Sequence, residues 1–345
     1  MSYREMNRLV GIDHSSRKAG GTDGDGLDSQ EMVMILEAAG ARCFVADYRN
    51  PITREHELPF QKYLYGSVES GFPAIVIFGT RDAQYHAIPV FGHTFNEDTW
   101  VPRAETSYFK VGEGTKYLPS ESWLSMYIAH DDNWGSNFCI PRQYLYARRF
   151  CQHWPTEARL CEEETDCVAY VIGTAPKEVQ VNPIQAEVIG ADYLMTILPQ
   201  APAPRGIWGE RMDRYAKLNM LVFRAVLVKK GEYVGHLRRV RDWERTPILE
   251  SRINDLDVAL PDEYFWMIEL SIPELFSANR RKVGEVLIRA EGAPTSERDL
   301  RAFVLARLPE FFVFYEGGAA SEPRYRFPDS GIMDHAELFG CEDDR

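Results

Sequence analysis

Two apolar segments joined by a short polar turn constrain the fold of this chain most strongly. "GFPAIVIFG" (71–79) is a continuous apolar run of strand length, and it ends at the polar turn "TRDAQ" (80–84). "YHAIPVFGHTFN" (85–96) follows at once and has the composition of a second strand. Because the turn is too short for a crossover connection, the two strands are expected to pair as antiparallel neighbours. The pattern therefore predicts an antiparallel sheet with His86 near the start of one strand.

Helix signals precede these strands. Asp28 or Ser29 can cap a helix whose apolar residues repeat at helical spacing, and Gly40 ends it. A short strand holding Cys43 comes next, followed by a second helix over about 58–70. Helices followed by several antiparallel strands indicate an α+β fold. The residues predicted to share one face of the second helix are Phe60, Tyr63, Leu64 and Val68.

Composition narrows the classes of partner and compartment. The chain carries 39 basic and 52 acidic residues, a net charge of −13, which disfavours binding to nucleic acid or anionic membranes. No run approaches the ~18 apolar residues of a membrane helix, and the N-terminus has no apolar core of the signal-peptide kind. Six cysteines without tight paired spacing are typical of reduced thiols. The expectation is a cytoplasmic protein without nucleic-acid or membrane partners.

Two domains are expected within 345 residues. Boundary signals are the acidic stretch 151–166 and the Pro-rich stretch 198–206. We assign residues 1–170 to a first α+β domain and 171–345 to a C-terminal α+β domain without an assigned function. In the C-terminal part the pattern predicts a helix or long strand, two strands and a helix, respectively at 211–230, at 265–272 and 311–316, and near 279–290.

The segment "MYIAHDDN" (126–133) suggests a site. An apolar strand ends there in four polar residues, which is also the composition of an ordinary turn. If this strand neighbours the strand of His86, the carboxylate of Asp131 or Asp132 can accept a proton from one imidazole nitrogen. The other ring nitrogen is then available as a base. Such a pair activates a thiol or hydroxyl only if one lies within reach.

Metal and nucleotide sites are weaker alternatives. His130, Asp131 and Asp132 might ligate a metal with His86 or His93, but adjacent strand residues face opposite sides, so at most His130 and Asp132 share a face. Zinc ligands usually come in close pairs, and a further five-residue set has only one such pair. Neither a P-loop nor a Gly-x-Ser-x-Gly elbow is present. We assign no metal and no cofactor. The five-residue set is Cys139, Cys151, His153, Cys161 and Cys167.

Between about Gly26 and Pro141 the chain resembles the papain-like cysteine peptidases related to the bacterial double-glycine peptidases that process bacteriocin leaders. The matching segments are the Gly-Leu pair that opens the first helix, "GFPAIVIF", "YHAIPVFGHTF" and "YIAHDDNWG". The resemblance implies a papain-like fold with His86 as general base and Asp131 or Asp132 as its orienting carboxylate. It also implies a hydrolase or acyltransferase of peptide or amide bonds, with a peptide or protein as substrate or partner.

The nucleophile is where the chain departs from that family. The family places its Cys before the Gly-Leu helix, but the first 26 residues here contain no Cys, and "MSYREMNRLVG" resembles only the tail of the expected helix. Cys43 lies on a predicted strand, and Ser15 and Ser16 are weak candidates in a polar loop. The expectation is a peptidase-like chain that is truncated or inactive. The alternatives are a non-catalytic binding or scaffold protein and a metal-dependent hydrolase. The oligomeric state stays open.

Overall fold

The chain forms two compact units, seen in a computed structural model. The first comprises Met1–Thr94 and Ser125–Val179, and the second comprises Phe95–Leu124 and Gln180–Arg345. The residues that the structure describes are 3–10, 27–48, 60–79, 85–95, 117–131, 135–141, 146–147, 167–197, 199, 207–239, 247–279, 282–292, 302–308, 311–319 and 322–326.

Helices and strands alternate along both units. The helices are α1 (Tyr3–Leu9), α2 (Ser29–Ala38), α3 (Phe60–Glu69), α4 (Pro183–Ile197), α5 (Ile207–Lys217), α6 (Lys230–Arg239), α7 (Glu250–Ala259) and α8 (Pro273–Asn279). The strands are β1 (Ala41–Asp47), β2 (Ala74–Gly79), β3 (Tyr85–Phe95), β4 (Leu118–Pro119), β5 (Leu124–Asp131), β6 (Gly135–Pro141), β7 (Tyr146–Ala147), β8 (Cys167–Pro176), β9 (Val222–Lys229), β10 (Tyr264–Ser271), β11 (Gly284–Arg289), β12 (Phe303–Leu308), β13 (Phe311–Ala319) and β14 (Glu322–Arg326).

The sheet of the first unit is ordered β1-β8-β2-β3-β5-β6, and β7 pairs with β8 in parallel. The predicted hairpin is present, because β2 and β3 pair antiparallel with Phe78 opposite His86. β8 is the last of these strands in the chain, yet it lies between β1 and β2 and pairs antiparallel with both. β3 and β5 are therefore neighbours near the middle of one sheet.

Helices cover both faces of this sheet. Asp28 and Glu31 form a capping box at the start of α2, which packs on one face against a cluster that includes Cys43. α3 packs on the opposite face and crosses β8 at Gly173. A Cβ at Gly173 would lie 2.7 Å from the Ser67 hydroxyl, so only glycine permits this close approach.

The sheet of the second unit is ordered β14-β13-β12-β11-β10-β9-β4. Its central pairs are antiparallel, and β4 pairs with β9 in parallel. α4 packs on one face, where Tyr193 stacks on Phe303. α6 and α7 cover the other face through an apolar cluster that includes Leu237, Leu256 and Leu287. This unit is therefore a sheet between two helical layers.

The α+β class is thus present in both units, and the structure alters two details of the sequence interpretation. The helix predicted near 279–290 is wrong, because 284–289 forms β11. That strand is buried on both faces, so its apolar run carries no two-residue alternation to separate it from a helix. The predicted boundary after residue 170 would cut through β8, and residues 95–124 belong to the second unit. No helix within the described ranges combines the length and apolarity needed to cross a membrane.

Candidate functional site: an imidazole–carboxylate pair in the first unit

His86 lies on the face of β3 that carries α3. Val90 of the same strand lines a small apolar cavity of about 10 Å³ together with Phe60 and Leu64 of α3. Successive strand residues alternate between faces, so His86, four residues before Val90, shares its face. The imidazole therefore projects from the α3 side of the sheet.

Asp131 reaches the same face from the neighbouring strand. It is the last residue of β5, four positions after Tyr127, which also lines the cavity under α3. Nε2 of His86 lies 3.1 Å from Oδ2 of Asp131. The two residues are 45 positions apart in the chain, and the sheet brings them together. Their neighbour His130 is exposed and faces the opposite side.

The chemistry of the bond defines the tautomer. A carboxylate has only acceptor atoms, so Nε2 donates the proton to Asp131. In the neutral imidazole the lone pair then lies on Nδ1, which is the nitrogen able to accept a proton. The Asp131 side chain is 3% exposed and that of His86 is 24% exposed, so the carboxylate is buried while the imidazole reaches solvent. This is the arrangement of an oriented base.

Phe78 completes the immediate surroundings of the imidazole that the structure describes. It lies opposite His86 on β2, with ring centroids 5.3 Å apart and ring planes at 80°. This is an edge-to-face contact, the geometry that aromatic quadrupoles favour.

A second imidazole–carboxylate pair on β3 was not predicted. His93 is hydrogen-bonded to Glu69 at the end of α3 and contacts the ring of Tyr65. Both side chains are less than 10% exposed. Val90 and His93 both meet α3 although they are three positions apart, so the alternation of faces slips by one residue between them. Such a slip has no signature in the sequence. Burial makes this pair part of the packing between α3 and β3.

Neither of the two cysteines with described side chains joins the His86 pair. Cys43 is buried on β1, separated from β3 by β8 and β2, which places it at least ~14 Å away at ~4.8 Å per strand. Burial raises its pKa to about 11, with a contribution from the charge of Glu37. Cys139 is exposed on β6, opposite Ile128 of β5. The thiol of Cys43 is thus protonated at neutral pH and remote from the imidazole.

The remaining sequence candidates fall in two groups. Asp132 lies outside the described residues, as do Ser15 and Ser16. From the proposed zinc set, Cys151, His153 and Cys161 are also outside them. Among the residues that the structure does describe, no group of three or more His, Cys, Asp or Glu side chains is arranged to hold a metal ion.

The second unit contains a row of charged side chains that sequence reasoning also missed. Arg224, Glu269, Glu285 and Arg307 stand opposite one another on β9, β10, β11 and β12, and we call them the charged row. Glu285 is fully buried and Arg307 is 3% exposed. Lys282 lies between the two glutamates, 2.6 Å from Glu285 and 3.7 Å from Glu269. The available signal was a single charge inside each of three apolar runs.

The charges in this row compensate one another. Burial alone would raise the pKa of Glu285, but the charges of Arg307 and Lys282 outweigh it and hold that pKa well below its usual range. Nε of Arg307 donates to Glu285 over 2.9 Å, and the Tyr233 hydroxyl donates to the same oxygen over 2.6 Å. A buried carboxylate with this many donors is held ionised and enclosed.

Comparison of the chain with family models, with curated proteins and with solved structures finds no match. The functional argument therefore rests on the residues themselves.

Proposed function

We propose that the first unit carries a papain-like, peptidase-type site in which His86 is the general base and Asp131 its orienting carboxylate. The observation that carries the proposal is the 3.1 Å hydrogen bond between Nε2 of a partly exposed His86 and a buried Asp131. The substrate class is a peptide or amide bond, and the product is either the hydrolysed acid or an acyl group passed to another acceptor. No metal or cofactor takes part in the proposed reaction.

The roles follow from the proton inventory. Nδ1 of His86 takes the proton from a nucleophile as it attacks the carbonyl carbon, and the imidazolium returns that proton to the departing amine. Asp131 has no proton to give or take in this cycle. It fixes the tautomer and stabilises the imidazolium while it exists.

A second candidate function is supported by the placement of the cysteines. Cys43 is remote from His86 and its pKa is about 11, and Cys139 lies on β6 rather than in a helix. A family that uses a helix-borne Cys has no counterpart at these two positions. The alternative is therefore a non-catalytic protein that binds peptides on a peptidase-like scaffold.

Peptide cleavage measured by mass spectrometry tests the proposal. The full chain is incubated with a complex peptide pool, and the variants His86→Ala and Asp131→Asn are compared with it. The matched control is His130→Ala, because His130 is exposed and faces the other side of β5. We expect cleavage or transfer by the parent chain, a loss of about 10²-fold or more in His86→Ala, and parent-like rates in the control.

Two results would contradict the proposal. Cleavage that persists in His86→Ala would assign the chemistry to another site. Peptides that are retained at equilibrium without any cleavage by the parent chain would favour the binding protein.

A further inference from the structure

The imidazole of His86 is held from two sides of its strand. β2 and β5 flank β3 in the sheet order. Asp131 bonds Nε2 from β5, and Phe78 contacts the ring from β2. The two contacts therefore come from opposite neighbours of β3.

One hydrogen bond alone does not orient an imidazole. A bond to Nε2 fixes the position of that atom but leaves the ring able to turn about the line from Nε2 to Oδ2. Turning of this kind moves Nδ1, the atom that carries the lone pair. An aromatic ring packed edge-to-face against the imidazole opposes this rotation, because the favourable quadrupole alignment is lost when the ring turns.

We propose that Phe78 is a positioning residue that sets the direction in which Nδ1 of His86 points. The inference rests on the proposed function, since it assigns a purpose to the orientation of the base. The register supports it, because Phe78 is the residue directly opposite His86 on β2. Phe78 is itself buried, so its own ring is fixed by the sheet.

The burial of Phe78 has a second effect on the pair. An apolar ring beside the imidazole reduces the access of water to the bond between Nε2 and Asp131. Hydrogen bonds to a carboxylate are stronger where water is excluded. Phe78 therefore favours the Nε2–H tautomer as well as the orientation.

The experiment reads the tautomer directly, without any assay of activity. The full chain is labelled with ¹⁵N-histidine, and the Nδ1 and Nε2 shifts of His86 are measured by NMR across the pH range. Phe78→Leu removes the aromatic edge, and Phe78→Met serves as a second variant if Phe78→Leu does not fold. Phe78→Tyr keeps the edge and is the conservative rescue. Phe44→Leu, the same change on β1 of the same sheet, is the matched control.

We expect the ratio of the Nε2–H to the Nδ1–H tautomer of His86 to fall about threefold to tenfold in Phe78→Leu, the range that corresponds to an aromatic pair contact. Phe78→Tyr and Phe44→Leu should keep the parent ratio. A parent-like ratio in both Phe78→Leu and Phe78→Met would overturn the inference and leave the proposed function standing. A shifted ratio in a chain that cleaves no peptide would support the positioning role and overturn the proposed function.

Discussion

The His86 pair of the first unit and the charged row of the second unit use ionisable side chains in opposite ways. Asp131 is buried at a strand end, and its partner His86 reaches solvent. Glu285 lies within a central strand, and its cationic partners enclose it completely. In the first case one ring nitrogen is available for chemistry, whereas in the second every charge is used for compensation. Burial of both partners thus separates a structural ion network from a candidate site.

Comparative mutagenesis of the charged row should show the largest effect. Arg307→Met leaves Glu285 buried with one fewer cation, and we expect a loss of about 3–5 kcal/mol in the free energy of unfolding, as for other broken buried pairs. Lys217→Met breaks an exposed pair with Asp213 and should cost less than about 0.5 kcal/mol. Urea denaturation followed by circular dichroism measures both. Equal losses in the two variants would remove the distinction.

Acid should weaken the charged row through Glu285. Because the pKa of Glu285 is lowered in the folded chain, the unfolded chain binds its proton first as the pH falls below ~5. Stability from this carboxyl is therefore present above its ordinary pKa and lost on acidification, by at most about 1.4 kcal/mol per pH unit. Denaturation curves between pH 6 and 3 should have a shallower slope in Glu285→Gln. An unchanged slope would show that Glu285 is not the titrating group.

Thiol labelling sharpens the comparison inside the first unit, between the solvent-reaching imidazole and the buried thiol of the same sheet. With a pKa of about 11, Cys43 is almost wholly protonated at pH 8, and its reaction with iodoacetamide should rise about tenfold per pH unit up to that pKa. Cys139 is exposed and should be modified first. Peptide mass spectrometry of timed samples measures both rates. Rapid, pH-independent modification of Cys43 near pH 7 would contradict its assignment as a structural thiol.

Substitution of the imidazole should have the smallest effect on stability. His86→Gln removes one hydrogen bond of a partly exposed side chain, so we expect a loss of about 1 kcal/mol in the free energy of unfolding. His130→Gln is the control, and it should leave the unfolding free energy within ~0.5 kcal/mol of the parent because His130 is exposed. A loss near that of Arg307→Met would place the His86 pair among the structural networks.

The sequence was informative where local signals sufficed. The hairpin of β2 and β3 followed from two apolar runs and a short turn, and the start and end of α2 followed from Asp28 and Gly40. The meeting of His86 with Asp131 followed from polar residues at the ends of candidate neighbouring strands. The catalytic role of that pair stays a prediction.

Other features depend on pairing between distant segments and were beyond local reasoning. The His93 pair requires an irregularity in β3 that no residue type announces. The charged row becomes visible only when the register of four strands is known. The assignment of 95–124 to the second unit depends on the two-residue strand β4 and on Trp123, which donates to Ser277 over 2.8 Å. A strand that short has no recognisable pattern.

The late position of β8 in the chain has a consequence for synthesis on the ribosome. β1 and β2 emerge first, but the strand that joins them is made more than 80 residues after β2 ends. Until then both strands have unpaired edges, which are templates for association with other chains. Closing so long a loop is slow, so the nascent first unit is a natural client for chaperones that shield strand edges. Truncation before Pro176 would leave that exposure permanent.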